Sequence, residues 1–107
     1  MAVTHFVTFK LKPEVARSED KLHKVHVDML DLKTTCLKEG APYILELTGG
    51  KQCSPEGLDK GFDIGYVVTF ATISDRDYYL DECPTHQEFK KYIKPQVEDV
   101  FAFDYEF

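Results

Sequence analysis

From Val97 to Phe107 the chain reads VEDVFAFDYEF, with Phe101, Phe103, Tyr105 and Phe107 on alternate positions. Successive side chains of a strand point to opposite faces. The run therefore predicts a strand with four rings on one face and Val100, Ala102, Asp104 and Glu106 on the other. The aliphatic face suits a covering layer of helices. The ring face, joined by Phe6 of the first strand, is a contiguous apolar patch too large to leave in water. A second copy packing sheet to sheet covers it and predicts a symmetric homodimer, a loosely packed terminal tail being the alternative.

The other elements follow from period and punctuation. Ala2 to Lys12 alternates as a strand, with His5, Val7 and Phe9 sharing one face. Leu22, Val25, Met29, Leu32 and Cys36 recur in steps of three and four, which places one amphipathic helix from Glu14 to about Leu37. Gly40, Ala41 and Pro42 stop it. Tyr43 to Thr48 is a second strand, Gly49 to Gly61 a long turn-rich loop, and Phe62 to Ala71 a third strand, apolar on both faces and so central. Ser74 caps a short helix that runs to Leu80, with Asp77 at the capping-box position. Pro84 breaks it, and a further helix runs to about Ile93. This βαββαβ order predicts an α+β, ferredoxin-like fold, one four-stranded antiparallel sheet with helices on one side, as a single domain of residues 1–107.

Composition narrows the partners. Thirteen basic against nineteen acidic residues give a net charge of −6, and no lysine–arginine stripe exists to read nucleic acid or an anionic membrane. The apolar runs are too short for a membrane span, and the chain enters a strand pattern without a secretory signal. Cys36, Cys53 and Cys83 are odd in number and lack CxxC spacing. Reduced thiols and a cytoplasmic setting are expected, with no metal site. His23 and His26 can share a helix face, but zinc needs further ligands.

The chemistry concentrates at Asp81–Phe89 (DECPTHQEF). Pro84 opens a helix, Thr85 is the expected N-cap, and Glu88 completes its capping box. His86 then lies in the first turn, where the helix dipole disfavours the imidazolium and keeps the ring a proton acceptor. An ordinary first-turn surface histidine is the plainer reading. His5 and Asp104 fall on apolar faces of the first and last strands and must each be satisfied, either by one another or by a polar pocket between sheet and helices.

The opening AVTHFVTFKLKPE, the turn GGKQCSPEGLDKG, the strand VVTF, the segment DYYLDECPTHQEF and the terminal VFAFDY together resemble the stress-responsive dimeric α/β-barrel (Dabb) family over essentially the whole chain. The resemblance implies two ferredoxin-like sheets pairing as a dimeric α/β barrel. It extends to the family's olivetolic acid cyclase-like polyketide cyclase members, which fold a linear polyketide by aldol chemistry with no cofactor. By resemblance, His5 matches the first-strand histidine, His86 the general base, Asp104 the terminal-strand aspartate and Phe89 the aromatic residue three positions past the base. The family's HPxH motif has Cys83 at its first histidine here, its substrate-orienting tyrosine is replaced by Leu80, and its third-strand histidine by Ile64. Tyr79 takes the tyrosine's place if Asp81–Glu82 absorbs a one-residue insertion.

On this reading the chain is a small enzyme that needs no cofactor and performs acid/base chemistry (cyclase, aldol-type, isomerase or lyase) on a polyketide-like or aromatic metabolite. His86 removes an acidic C–H proton, Tyr79 donates to the enolate oxygen, and His5 or Asp104 orients ligand or base. Val7, Phe9, Ile64, Tyr66 and Val68 supply apolar walls, His26 the pocket edge and Phe89 a further contact. The competing expectation is a non-catalytic stress-responsive or ligand-binding barrel protein.

Overall fold

A computed structural model describes residues 1–107. Strand β1 (Val3–Leu11) is followed by a one-turn helix α1 (Pro13–Ala16) and the long helix α2 (Glu19–Thr35). A short hairpin, β2 (Leu37–Lys38) and β3 (Ala41–Pro42), leads into β4 (Ile44–Lys51) and β5 (Ile64–Phe70). Helices α3 (Ile73–Asp81) and α4 (Pro84–Ile93) and a 3₁₀ turn at Lys94–Gln96 precede β6 (Val97–Glu106). The main sheet has the order β4-β5-β1-β6 with every neighbour antiparallel. This is the ferredoxin-like α+β fold, and β5 is central as its two apolar faces required.

Helix α2 packs over β4, and α3 over β1 and β5. Between helices and sheet lies one core, in which Val25, Met29 and Leu32 of α2 meet Val7, Phe9, Tyr66, Val68 and Phe70. The opposite face carries Phe101, Phe103, Tyr105 and Phe107, each at least half exposed. No helix is long and apolar enough to cross a membrane.

Several boundaries differ from expectation for local reasons. The single helix from Glu14 to Leu37 is interrupted at Arg17–Ser18, because the Ser18 hydroxyl accepts from the Lys21 N–H and starts α2 anew. The stop at Gly40–Pro42 is itself a hairpin, with Glu39 and Gly40 at φ of 53° and 78°, the left-handed pair that a two-residue turn needs. Strand β4 continues through Gly49 and Gly50, which sit opposite Tyr66 and Gly65. A Cβ at Gly49 would collide with the Tyr66 ring and the Gly65 carbonyl, so the glycine there serves a packed strand and not a turn. Thr72, not Ser74, caps α3, accepting from the Asp75 N–H at 3.1 Å. Nor is Thr85 the cap of α4. Pro84 is already helical, Cys83 holds the cap position with no side-chain bond, and the Thr85 hydroxyl donates instead to the Thr35 carbonyl at 3.3 Å.

Candidate active site

The helix layer stops short of the last strand. Val100 and Ala102, on the helix side of β6, remain exposed, and a cavity of about 330 Å³ opens in the gap. Its floor is Val7 and Phe9 of β1 with Val97, Val100 and Ala102 of β6. One wall is the face of α4 formed by His86, Phe89, Lys90 and Ile93, positions spaced three and four apart. Tyr79 and Leu80 at the end of α3, with Met29 of α2, close the far side, and His5 reaches in from β1. The size and the mainly apolar lining suit a small organic ligand.

His5 and Asp104 are direct cross-strand partners of β1 and β6. The His5 Nδ1 lies 2.7 Å from Asp104 Oδ1, and Arg76 Nη1 of α3 lies 2.6 Å from the other carboxylate oxygen. An ionised carboxylate only accepts, so Nδ1 carries a proton and Nε2 is the nitrogen left without a protein partner. Arg76 is fixed in turn by Asp77 at 2.9 Å, which leaves Asp104 tied between an α3 guanidinium and a β1 imidazole.

His86 is buried in the first turn of α4. Its Nδ1 lies 2.6 Å from the Tyr79 carbonyl oxygen, again an acceptor only, so the neutral ring keeps its lone pair on Nε2. Its face stacks on the Tyr79 ring, centroids 3.6 Å apart and planes 11° from parallel. Burial pulls the His86 pKa down to about 4; the Tyr79 carbonyl opposes the shift, and the nearby positive charge of Lys90 and the His5 ring reinforce it. The ring is neutral at physiological pH, as expected, but desolvation is the principal reason.

Not all the expected lining residues gather here. Val7, Phe9 and Phe89 do. Tyr66 and Val68 are fully buried in the core, and Ile64 faces a separate groove beside α2. His26 lines that groove too, its Nδ1 2.9 Å from the Tyr66 hydroxyl. Period-two reasoning put these strand residues on the correct face, but α2 covers that part of the sheet and leaves room only over β6. Nor can the Tyr79 hydroxyl serve a ligand as placed. It is sealed from solvent without a hydrogen-bond partner, and burial raises its pKa. Tyr79 contributes its ring face and its carbonyl instead. Leu80, its neighbour, lines the cavity directly.

Cys36 and Cys83 are both fully buried beside Tyr43, and burial, then the adjacent Cys83, pushes the Cys36 thiol up to about 12. Such a thiol is inert at neutral pH. His23 and His26 share their groove with Glu19 and Asp20, and no three His, Cys, Asp or Glu side chains are placed to hold a metal ion. The charged residues of the site that sequence reasoning missed are Arg76, Lys90 and Lys94. The two lysines were within reach, since Lys90 is four residues beyond His86 and Lys94 four beyond Lys90. Arg76 gave no signal before the α3–β6 contact existed.

The family model for the stress responsive A/B barrel domain matches residues 3–107, nearly the whole chain. The chain belongs to this family, Dabb. Among similar solved structures, the hydroxynitrile lyase from Passiflora edulis superposes on this Dabb domain with a TM-score of 0.80 at 24% identity, covering 97% of this chain and 91% of that one. A Dabb family protein from Mesorhizobium loti gives 0.75 at 24%, covering 98% and 95%. A dimeric ferredoxin-like protein of unknown function from Jannaschia gives 0.77 at 19%, covering all of both chains. At such identities the likeness establishes the fold. No curated protein matches the sequence. The comparisons bear out the family but do not show the finer resemblance to its polyketide cyclase members, and the enzyme among these three is a lyase.

Proposed function

We propose that this Dabb domain is an enzyme that works without a cofactor, performing acid/base chemistry on a small polyketide-like or aromatic metabolite. One observation carries the reading: His5 and His86 enter one apolar cavity, each with Nδ1 committed to a protein acceptor and Nε2 left free to exchange a proton. Two imidazoles so constrained can take a proton from one ligand atom and return it to another. In this reading His86 accepts an acidic C–H or O–H proton. In its protonated form His5 donates from Nε2 to the charge that develops opposite, its imidazolium supported by Asp104, which Arg76 anchors. Val7, Phe9 and Phe89 exclude water from the reacting face. Cyclase, aldol-type, isomerase and lyase reactions all use this step, and the name of the Passiflora neighbour favours the lyase.

The working form is a homodimer in which the Phe101–Phe107 face packs against its copy to complete a barrel. Neighbours described as dimeric support this, as does the need to cover four half-exposed rings. A second reading, a non-catalytic ligand-binding or stress-responsive barrel, is favoured by the sealed Tyr79 hydroxyl, which leaves no tyrosine donor for an enolate oxygen.

Turnover of aryl β-ketoacyl thioesters and of aromatic hydroxynitriles by the wild type, His86→Gln and His5→Gln separates the two. The enzyme reading expects loss of turnover with the assembly mass and thermal midpoint retained. Wild-type protein that binds these probes and converts none would overturn it in favour of the second reading.

A further inference from the structure

The cavity carries an electrostatic signature that acid/base chemistry alone does not require. Its lining contains two lysines, Lys90 and Lys94, and no aspartate or glutamate, although the chain has nineteen acidic residues against thirteen basic. Three lysines cluster at the end of α4, where the helix dipole favours them. The one outside the cavity, Lys91, is paired with Glu88 at 3.3 Å. The two at the cavity have no acidic partner. The Lys90 ammonium donates one hydrogen bond to the Leu80 carbonyl, and the Lys94 ammonium makes no hydrogen bond or ion pair. An ammonium group has three donors, so Lys90 retains two and Lys94 three. The dipole explains why lysines stand here, and the absence of any carboxylate from the cavity lining leaves both ammonium groups open to a ligand.

We propose that Lys90 and Lys94 read a carboxylate on the ligand, so that the site takes small organic anions whose apolar or aromatic body rests on Phe9, Phe89 and Val100 while the carboxylate sits at the mouth. This deepens the enzyme reading by naming the ligand class, and rests on the cavity identified there. It also resolves a tension within the site. Lys90 is one of the charges that weaken His86 as a base, and a carboxylate seated on Lys90 offsets that charge. Ligand binding thus strengthens the base beside the ligand, and a neutral analogue of the same shape does not.

The test uses a matched pair of probes, 3-phenylpropanoate and its uncharged amide, titrated into the full-length protein by calorimetry and by nitrogen–proton correlation spectra. The carboxylate is expected to bind about tenfold or more tightly than the amide, the size of one charge-assisted hydrogen bond. That preference should vanish in the Lys90→Met/Lys94→Gln double variant. Bound carboxylate, but not amide, should raise the His86 titration midpoint. Equal binding of both probes to the wild type overturns the anion assignment while leaving the cavity intact. If neither probe binds, or if filling the floor with Ala102→Phe leaves both affinities unchanged, the cavity reading itself fails and the anion assignment with it.

Discussion

Burial of a neutral His86 has a thermodynamic signature that can be read without any substrate. In the unfolded chain the ring titrates near its ordinary 6.5, and in the fold near 4. Between these values the unfolded state holds a proton that the native state refuses, so stability rises with pH across the window and falls as pH drops through it. The contribution is complete above the unfolded value and lost by the folded one. The interval of 2.5 units corresponds to about 3 kcal/mol, large against the total stability of a small domain. His86→Gln removes the titration while keeping a polar side chain of similar reach. Urea unfolding at fixed protein concentration, from about pH 7 to about pH 4.5, should show the wild type losing about 2–3 kcal/mol more than the variant. The carboxylates titrate in both proteins, so the difference isolates the histidine. Parallel losses, or a His86 resonance titrating near 6.5, would refute the claim that burial holds this ring neutral.

Other perturbations probe the remaining structure. Asp104→Asn removes one of the two carboxylates paired with Arg76 and the acceptor of His5, and should cost about 1–2 kcal/mol in denaturant unfolding; an unchanged midpoint would mean the His5–Asp104–Arg76 bridge is not formed in solution. Gly49→Ala forces the Tyr66 ring or the β4–β5 ladder to move, and should cost about 1–3 kcal/mol by thermal melting. Phe103→Glu places a charge in the exposed ring face, and light scattering after gel filtration should find monomers where the wild type gives dimers. Thr72→Ala should cost about 1 kcal/mol through the lost α3 cap, whereas Thr85→Val, at a position that caps nothing, should change stability by less than about 0.5 kcal/mol.

The topology was legible because its signals are local and repeated. Alternation from Val97 onward, the three–four steps along α2 and the proline at 84 each name an element without reference to any other. Cap identities were not, since Thr72 and Ser74 offer the same hydroxyl two residues apart, and only the turn geometry selects between them. The site was half legible. His5 and Asp104 could be placed on the helix side of their strands because side chains alternate, but that they face each other depends on the β1–β6 register, which alternation does not set. Ile64, Tyr66 and Val68 could not be separated from Val7 and Phe9, because all five face the helices and only the position of α2 decides which are covered. Tyr79 shows a further limit: its ring reaches the cavity wall while its hydroxyl does not.

The two histidines are fixed by acceptors of different kinds, and this bears on how the site can change over evolutionary time. The partner of His86 is a main-chain carbonyl, present whatever residue occupies position 79. Its tautomer is thus inherited with the backbone, and the codon for residue 79 is free to drift as far as the ring stack allows. The partner of His5 is a side chain distant in sequence, and one base change at codon 104 can release it. Lineages that diverge from this scaffold should therefore hold His86 in one protonation pattern while rewiring His5, so that new activities enter from the β6 side of the cavity.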